Sequence, residues 1–240
     1  MAQIGHGYGS EWQLLRMLGH HRNEFFEKLK EELNIKDDIN WLDYPYDNKS
    51  VSGDGEYFRL NFINNPNFPK FLKSKIEKIK KPKDFLYDWN WDGIFCVGEE
   101  LYVVEAKANI EEVRSDCKAE NADSIASINT NLKELKKHFA VQSESDWSKK
   151  YYQFANRLAF IKLMKDYGIK AKLVNIYFIN GYIHKIYFPD TKEWREVYNK
   201  SASRDNWSEV IKKEKDYLGL NGNEEINKVV KDVFIDCIQP

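Results

Sequence analysis

Asp92 and Glu105 stand thirteen positions apart, and Lys107 follows two residues later. The stretch that joins them, Trp91 to Lys107, is two apolar runs around Gly98-Glu99, the pattern of a β-hairpin. Side chains alternate along a strand, so Leu101, Val103, Glu105 and Lys107 share one face. The first two suit a core; the last two set a carboxylate and an ammonium side by side at its open end. Asp92 starts the partner strand and falls near Glu105 if the hairpin is tight. Two carboxylates with the Ala106 backbone carbonyl suit a hard divalent cation such as magnesium, with manganese as a substitute. Such a metal lowers the pKa of its water and neutralises charge building on a phosphate. Lys107, held protonated by two carboxylates, would position water and stabilise charge rather than act as the base.

A Glu-x-Lys tripeptide is weak evidence alone. A second copy, Glu134-Leu135-Lys136, sits in an amphipathic helical pattern and reads as a solvated face. Context favours the first copy, whose plain alternative is a surface ion pair. Asp88 competes with Asp92, and Asp92 is preferred because it joins the strand directly. Glu11 by itself reads as a first-turn acid complementing a helix dipole; the alternative is a further carboxylate over the metal. On a helix, Gln153, Asn156 and Arg157 share a face at i, i+3 and i+4. That polar stripe is either solvated or placed to grip phosphate and orient the metal carboxylates. The histidines show no ligand spacing with cysteines, and no phosphate loop or Gly-x-Ser-x-Gly elbow is present.

The elements that would position these residues follow from periodicity. Ser10 with Gln13 predicts a capping box and a helix over 11–33. Short strands are predicted at 41–46 and 57–63, and a lysine-rich helix at 68–83. After the hairpin, the spacing predicts helices at 125–139 and 148–167, a β-branched strand at 171–179, an Asn180-Gly181 turn into a strand at 182–188, then helices at 191–198, 207–218 and 224–234. Helices interrupt the strands, so the sheet is expected to be mixed with helices on both faces. No linker or repeat divides residues 1–240, and one domain is the default.

Composition bounds the partners. The 240 residues are 42% hydrophobic and 31% charged, which fits a packed α/β protein and excludes a disordered one. A net charge of -1 argues against a pure nucleic-acid binder yet leaves room for a local basic cleft. Three widely spaced cysteines read as free thiols in a reducing compartment, and a cytoplasmic location is expected. No signal-peptide pattern and no apolar run long enough for a bilayer appear, so no membrane association is expected.

At Asp92 and Glu105-Ala106-Lys107 the chain resembles the PD-(D/E)XK phosphodiesterase superfamily, with Trp91 in place of the proline of that name. Gly9-Ser10-Glu11-Trp12, Asn90-Trp91-Asp92, Val104 to Ala108 and Tyr152 to Ala159 look like an uncharacterised bacterial group within it, a likeness that spans nearly the whole chain. The resemblance implies a restriction-endonuclease-like α/β fold: a mixed four-to-five-stranded sheet flanked by helices, here with extra C-terminal helices. It implies magnesium-dependent hydrolysis of nucleic acid, DNA before RNA, leaving a 5′-phosphate, and is compatible with a homodimer. By that likeness Asp92 and Glu105 bind the metal, Lys107 serves the attacking water, Glu11 adds a carboxylate from the first helix, and Gln153 matches a polar residue on the helix after Glu-x-Lys. Asn109 to Trp147 lengthens that interval, which makes Gln153 the looser match. Two other readings stay open: a non-catalytic nucleic-acid-binding or interaction module, and a hydrolase of small phosphodiesters.

Overall fold

The computed structural model describes residues 9–43, 57–79, 89–179, 185–188, 191–196 and 202–237; Asp88, the glycine-rich start and the Asn180-Gly181 turn lie outside them. The chain begins with helices α1 (Gly9–His20) and α2 (Arg22–Leu33), then strands β1 (Asn40–Trp41) and β2 (Tyr57–Phe58), a 3-10 turn at Asn61–Asn64 and helix α3 (Lys70–Ile76). Strands β3 (Asn90–Trp91), β4 (Gly93–Val97) and β5 (Glu100–Lys107) follow, then a 3-10 turn at Ile110–Val113 and helices α4 (Ala122–His138) and α5 (Tyr152–Asp166). The chain continues through strands β6 (Ala171–Ile179), β7 (Lys185–Phe188) and β8 (Glu193–Glu196), helices α6 (Arg204–Leu218) and α7 (Glu224–Val229), and strand β9 (Val230–Asp236).

The main sheet is five-stranded and mixed, in the order β1-β4-β5-β6-β9. β1–β4 and β4–β5 pair antiparallel, while β5–β6 and β6–β9 pair parallel. Parallel pairs need crossovers, which α4 and α5 supply between β5 and β6, and α6 and α7 between β6 and β9. One face, with Leu101, Val103 and Leu173, packs against α4, α5 and α6. The other, with Tyr102, Val104, Ala106, Val174 and Ile176, packs against α1 and α2. Among the described residues no helix is long and apolar enough to cross a membrane.

The hairpin holds its place for local reasons. Gly98 takes the left-handed conformation (φ 54°) that the β4–β5 turn needs. Gly93 lets the Trp41 indole lie flat on the strand, where any Cβ would collide with its ring. Trp41 then stacks on Phe95 at 5.6 Å, and Phe95 on Tyr102 at 4.5 Å.

The structure corrects several expectations. The helix at 11–33 is two helices that break at His21, which lets Leu14, Met17, Leu18, Phe25 and Leu29 all reach the sheet. The strand at 57–63 is only two residues long, because Arg59 turns left-handed (φ 52°). The helix at 191–198 is wrong in type, and the helix at 224–234 holds only over its first part, Glu224–Val229. Glu193–Glu196 pairs with Lys185–Phe188 as a separate ribbon. Val230–Asp236 leaves α7 to become the outer strand β9, where β6 offers a full ladder of backbone partners and Val233 and Ile235 gain burial. The expected run of C-terminal helices therefore ends in a strand.

Candidate functional site

Register sets the first pair. Gly93 lies opposite Val104, so Asp92 comes directly before the paired part of β4, level with Glu105. Its carboxylate Oδ2 accepts the Ala106 N–H at 2.7 Å. Leu101 N donates to Lys170 O, so Glu105 and Lys107, in step with Leu101, pair with β6, and Ala106 turns both N–H and carbonyl to the Asp92 side. The Ala106 carbonyl and Asp92 thus share one edge of the strand.

Glu105 is 5% exposed and its carboxylate collects three donors. Oε1 accepts Lys107 Nζ at 2.5 Å and Gln153 Nε2 at 2.7 Å, and Oε2 accepts Arg157 Nε at 2.9 Å. Lys107 Nζ also donates to Gln153 Oε1 at 3.0 Å. Arg157 donates to Asn90 O at 2.7 Å and lies over the Trp91 ring at 4.8 Å. Burial works to raise the Glu105 carboxyl, but Lys107 and Arg157 outweigh it and hold it below the ordinary range. Burial likewise pulls Lys107 down, and Glu105 and Asp92 outweigh it, so the ammonium stays charged.

The structure therefore brings together Asp92, Glu105, Ala106, Lys107, Gln153 and Arg157. Gln153 and Arg157 are not a solvated face: α5 buries ten of its fifteen residues, Arg157 among them, and Gln153 is half-buried against Glu105. Asn156 is not with them. It is 4% exposed, and its Oδ1 accepts the Trp89 indole N–H at 2.9 Å, a structural bond. Glu11 lies in the first turn of α1, the helix packed on the opposite face of the sheet from the Glu105 side chain.

Sequence reasoning missed the remainder of the cluster. Glu105, Asn175 and Asp232 stand in one row across the three parallel strands. Asn175 Nδ2 donates to Asp232 Oδ1 at 3.0 Å, and Lys215 Nζ to Asp232 Oδ2 at 2.6 Å. Glu214 of α6 is 3% exposed and borders, with Glu105, Lys107, Asn175 and Tyr177, a cavity of about 20 Å³, room for one water. Burial, joined by Asp232 and Glu105, pushes the Glu214 carboxyl up to about 8. Nearby, Glu112 accepts the Ala108 N–H at 2.8 Å, and burial raises its carboxyl against that bond. Asn175, a lone amide in a nine-residue apolar strand, is the signal that was legible. Asp232 was hidden by the misassigned helix.

Among the described residues, five acids (Asp92, Glu105, Glu112, Glu214, Asp232) thus lie with three cations (Lys107, Arg157, Lys215), and burial keeps the proton on Glu214 near neutral pH. Among the described residues no group of three His, Cys, Asp or Glu is arranged around a common metal position. The donor set still fits magnesium, which is commonly held by one or two carboxylates and completes its shell with water and substrate phosphate. No family model, curated protein or solved structure matches the chain.

Proposed function

We propose that the protein is a divalent-metal-dependent phosphodiesterase that hydrolyses nucleic acid, DNA in the first instance, on a restriction-endonuclease-like sheet. One observation carries the reading: Asp92, Glu105 and Lys107 meet at one end of the central strand pair, with Gln153 bridging the acid and the amine. Asp92, Glu105 and the Ala106 carbonyl would hold the metal, which when bound supplies an activated water and neutralises phosphate charge. Lys107 meanwhile keeps a protonated amine, oriented by Glu105 and Gln153, where negative charge would grow on a phosphate. Arg157 fixes the Glu105 carboxylate through Oε2, while Oε1 accepts both Lys107 and Gln153. Glu11 is a weaker member of this proposal, since it belongs to the opposite layer.

The test incubates the protein with single-stranded and duplex DNA and RNA in magnesium or manganese, beside Lys107→Ala and Asp92→Asn. Metal-dependent cleavage lost in both variants supports the reading. Cleavage that survives Lys107→Ala removes the assignment, and no cleavage of any substrate by the wild type favours a non-catalytic module.

A further inference from the structure

The segment that hydrogen-bonds the strand leading into Asp92 presents an exposed aromatic ring. Phe58 lies opposite Asn90 in the β2–β3 ribbon, and Asn90 is two residues from Asp92. Strand geometry then places the Phe58 and Asp92 Cα atoms within about 12 Å of each other. Tyr57 and Trp91, the neighbouring pair, are buried, while Phe58 is 40% exposed and Asn90 is exposed beside it. The Arg59 guanidinium lies over the Phe58 ring at 4.6 Å. Arg59 holds φ at 52°, an unfavourable conformation for a residue with a Cβ. Two bonds lock it there: its N–H donates to Trp89 O at 2.6 Å, and the Trp91 indole N–H donates to its carbonyl at 2.9 Å. The backbone that carries the guanidinium is thus fixed by the residues immediately before Asp92. Charge points the same way. Tyr57 to Ile79 contains Arg59, Lys70, Lys73, Lys75 and Lys78 against Glu77 alone, in a chain whose net charge is -1.

We propose that Phe58 and Arg59 form a stacking platform for an unpaired base of single-stranded DNA next to the Asp92–Glu105 site, with the basic 70–78 segment accompanying its phosphates. This rests on the phosphodiesterase reading for its substrate class. Aromatic rings and guanidinium planes accept any base by its π-face, but only a base freed from its duplex neighbours offers one. The phosphates supply a salt-dependent, sequence-independent share of binding. The protein therefore takes single-stranded or frayed DNA in preference to intact duplex.

The experiment measures anisotropy of a labelled oligothymidylate and of a duplex of equal length, with a metal chelator present so that binding is read without cleavage. Phe58→Ala is expected to weaken oligothymidylate binding roughly 10-fold and leave duplex binding unchanged, and Phe58→Trp to restore it with indole quenching on binding. A wild type that prefers duplex, or a Phe58→Ala loss that is absent or equal for both ligands, overturns the platform. Because no metal is needed, a Phe58-dependent single-strand preference in a protein that cuts nothing would uphold the platform while the phosphodiesterase reading fell.

Discussion

The Glu105 carboxylate decides how the site behaves as a set of charges. It is desolvated, yet two cations and an amide hold it ionised. Removing one partner from such a pair leaves a buried charge uncompensated, which costs more than the pair itself contributes. Arg157→Met is therefore expected to lose about 3–5 kcal/mol in urea unfolding. Adding Glu105→Gln to it should recover part of that loss, so the double variant falls short of the sum. The same pairing sets a pH dependence. The folded carboxyl lies below its ordinary 4.5, so its stabilisation is present above that value and is lost as pH falls through the folded value. Unfolding midpoints followed from pH 6 to pH 3 should drop less in Glu105→Gln than in the wild type. Lys107 and Glu105 were legible as neighbours because strand alternation is a local rule. Arg157 was legible only as one edge of a polar stripe, because its partner lies 52 residues away in the chain.

At the scale of elements, the site depends on the β4–β5 hairpin keeping its register, since a slip of one residue would turn Glu105 to the other face. Gly93 and Trp41 guard that register. Gly93→Ala forces the indole off the strand and disrupts its stack on Phe95. The expected loss is about 1–3 kcal/mol, read as a lower urea midpoint with an unchanged m value. The hairpin and β6 stood out in the sequence because their apolar runs are bounded by turn residues and rich in β-branched side chains. β9 did not. Asn227 to Asp236 carries apolar residues at Val229, Val230, Val233, Phe234 and Ile235, the first four at a helical spacing, and only the open side of β6 makes the extended form the better one. Local periodicity cannot register a neighbour that arrives from elsewhere in the chain.

Across the whole molecule, the polar row Glu105–Asn175–Asp232 and the α6 residues Glu214 and Lys215 extend the site from the hairpin to the far strand. Glu214 registers the charge balance of that assembly. Its folded pKa of about 8 lies above the ordinary 4.5, so the folded state retains a proton that the unfolded chain gives up. Stability of the metal-free protein should fall as pH rises from 4.5 through 8, and level off above it. Glu214→Gln removes that penalty. Its denaturation midpoint relative to wild type should rise between pH 5 and pH 9, and an equal offset at both would count against a coupled Glu105–Asp232–Glu214 cluster. A divalent cation added near Glu105 should blunt the effect, by favouring the ionised acid.

By itself the sequence determined the mixed α/β character, the central hairpin and the proximity of Asp92, Glu105 and Lys107. All of these follow from alternation and turn chemistry within a few residues of each other. Only the tertiary structure decided which face of α5 meets Glu105, that Asn156 serves Trp89 rather than the site, and that Asn175, Glu214 and Asp232 join it. Those placements depend on parallel strands brought together over crossovers, where backbone pairing and burial outweigh the preferences of any single segment.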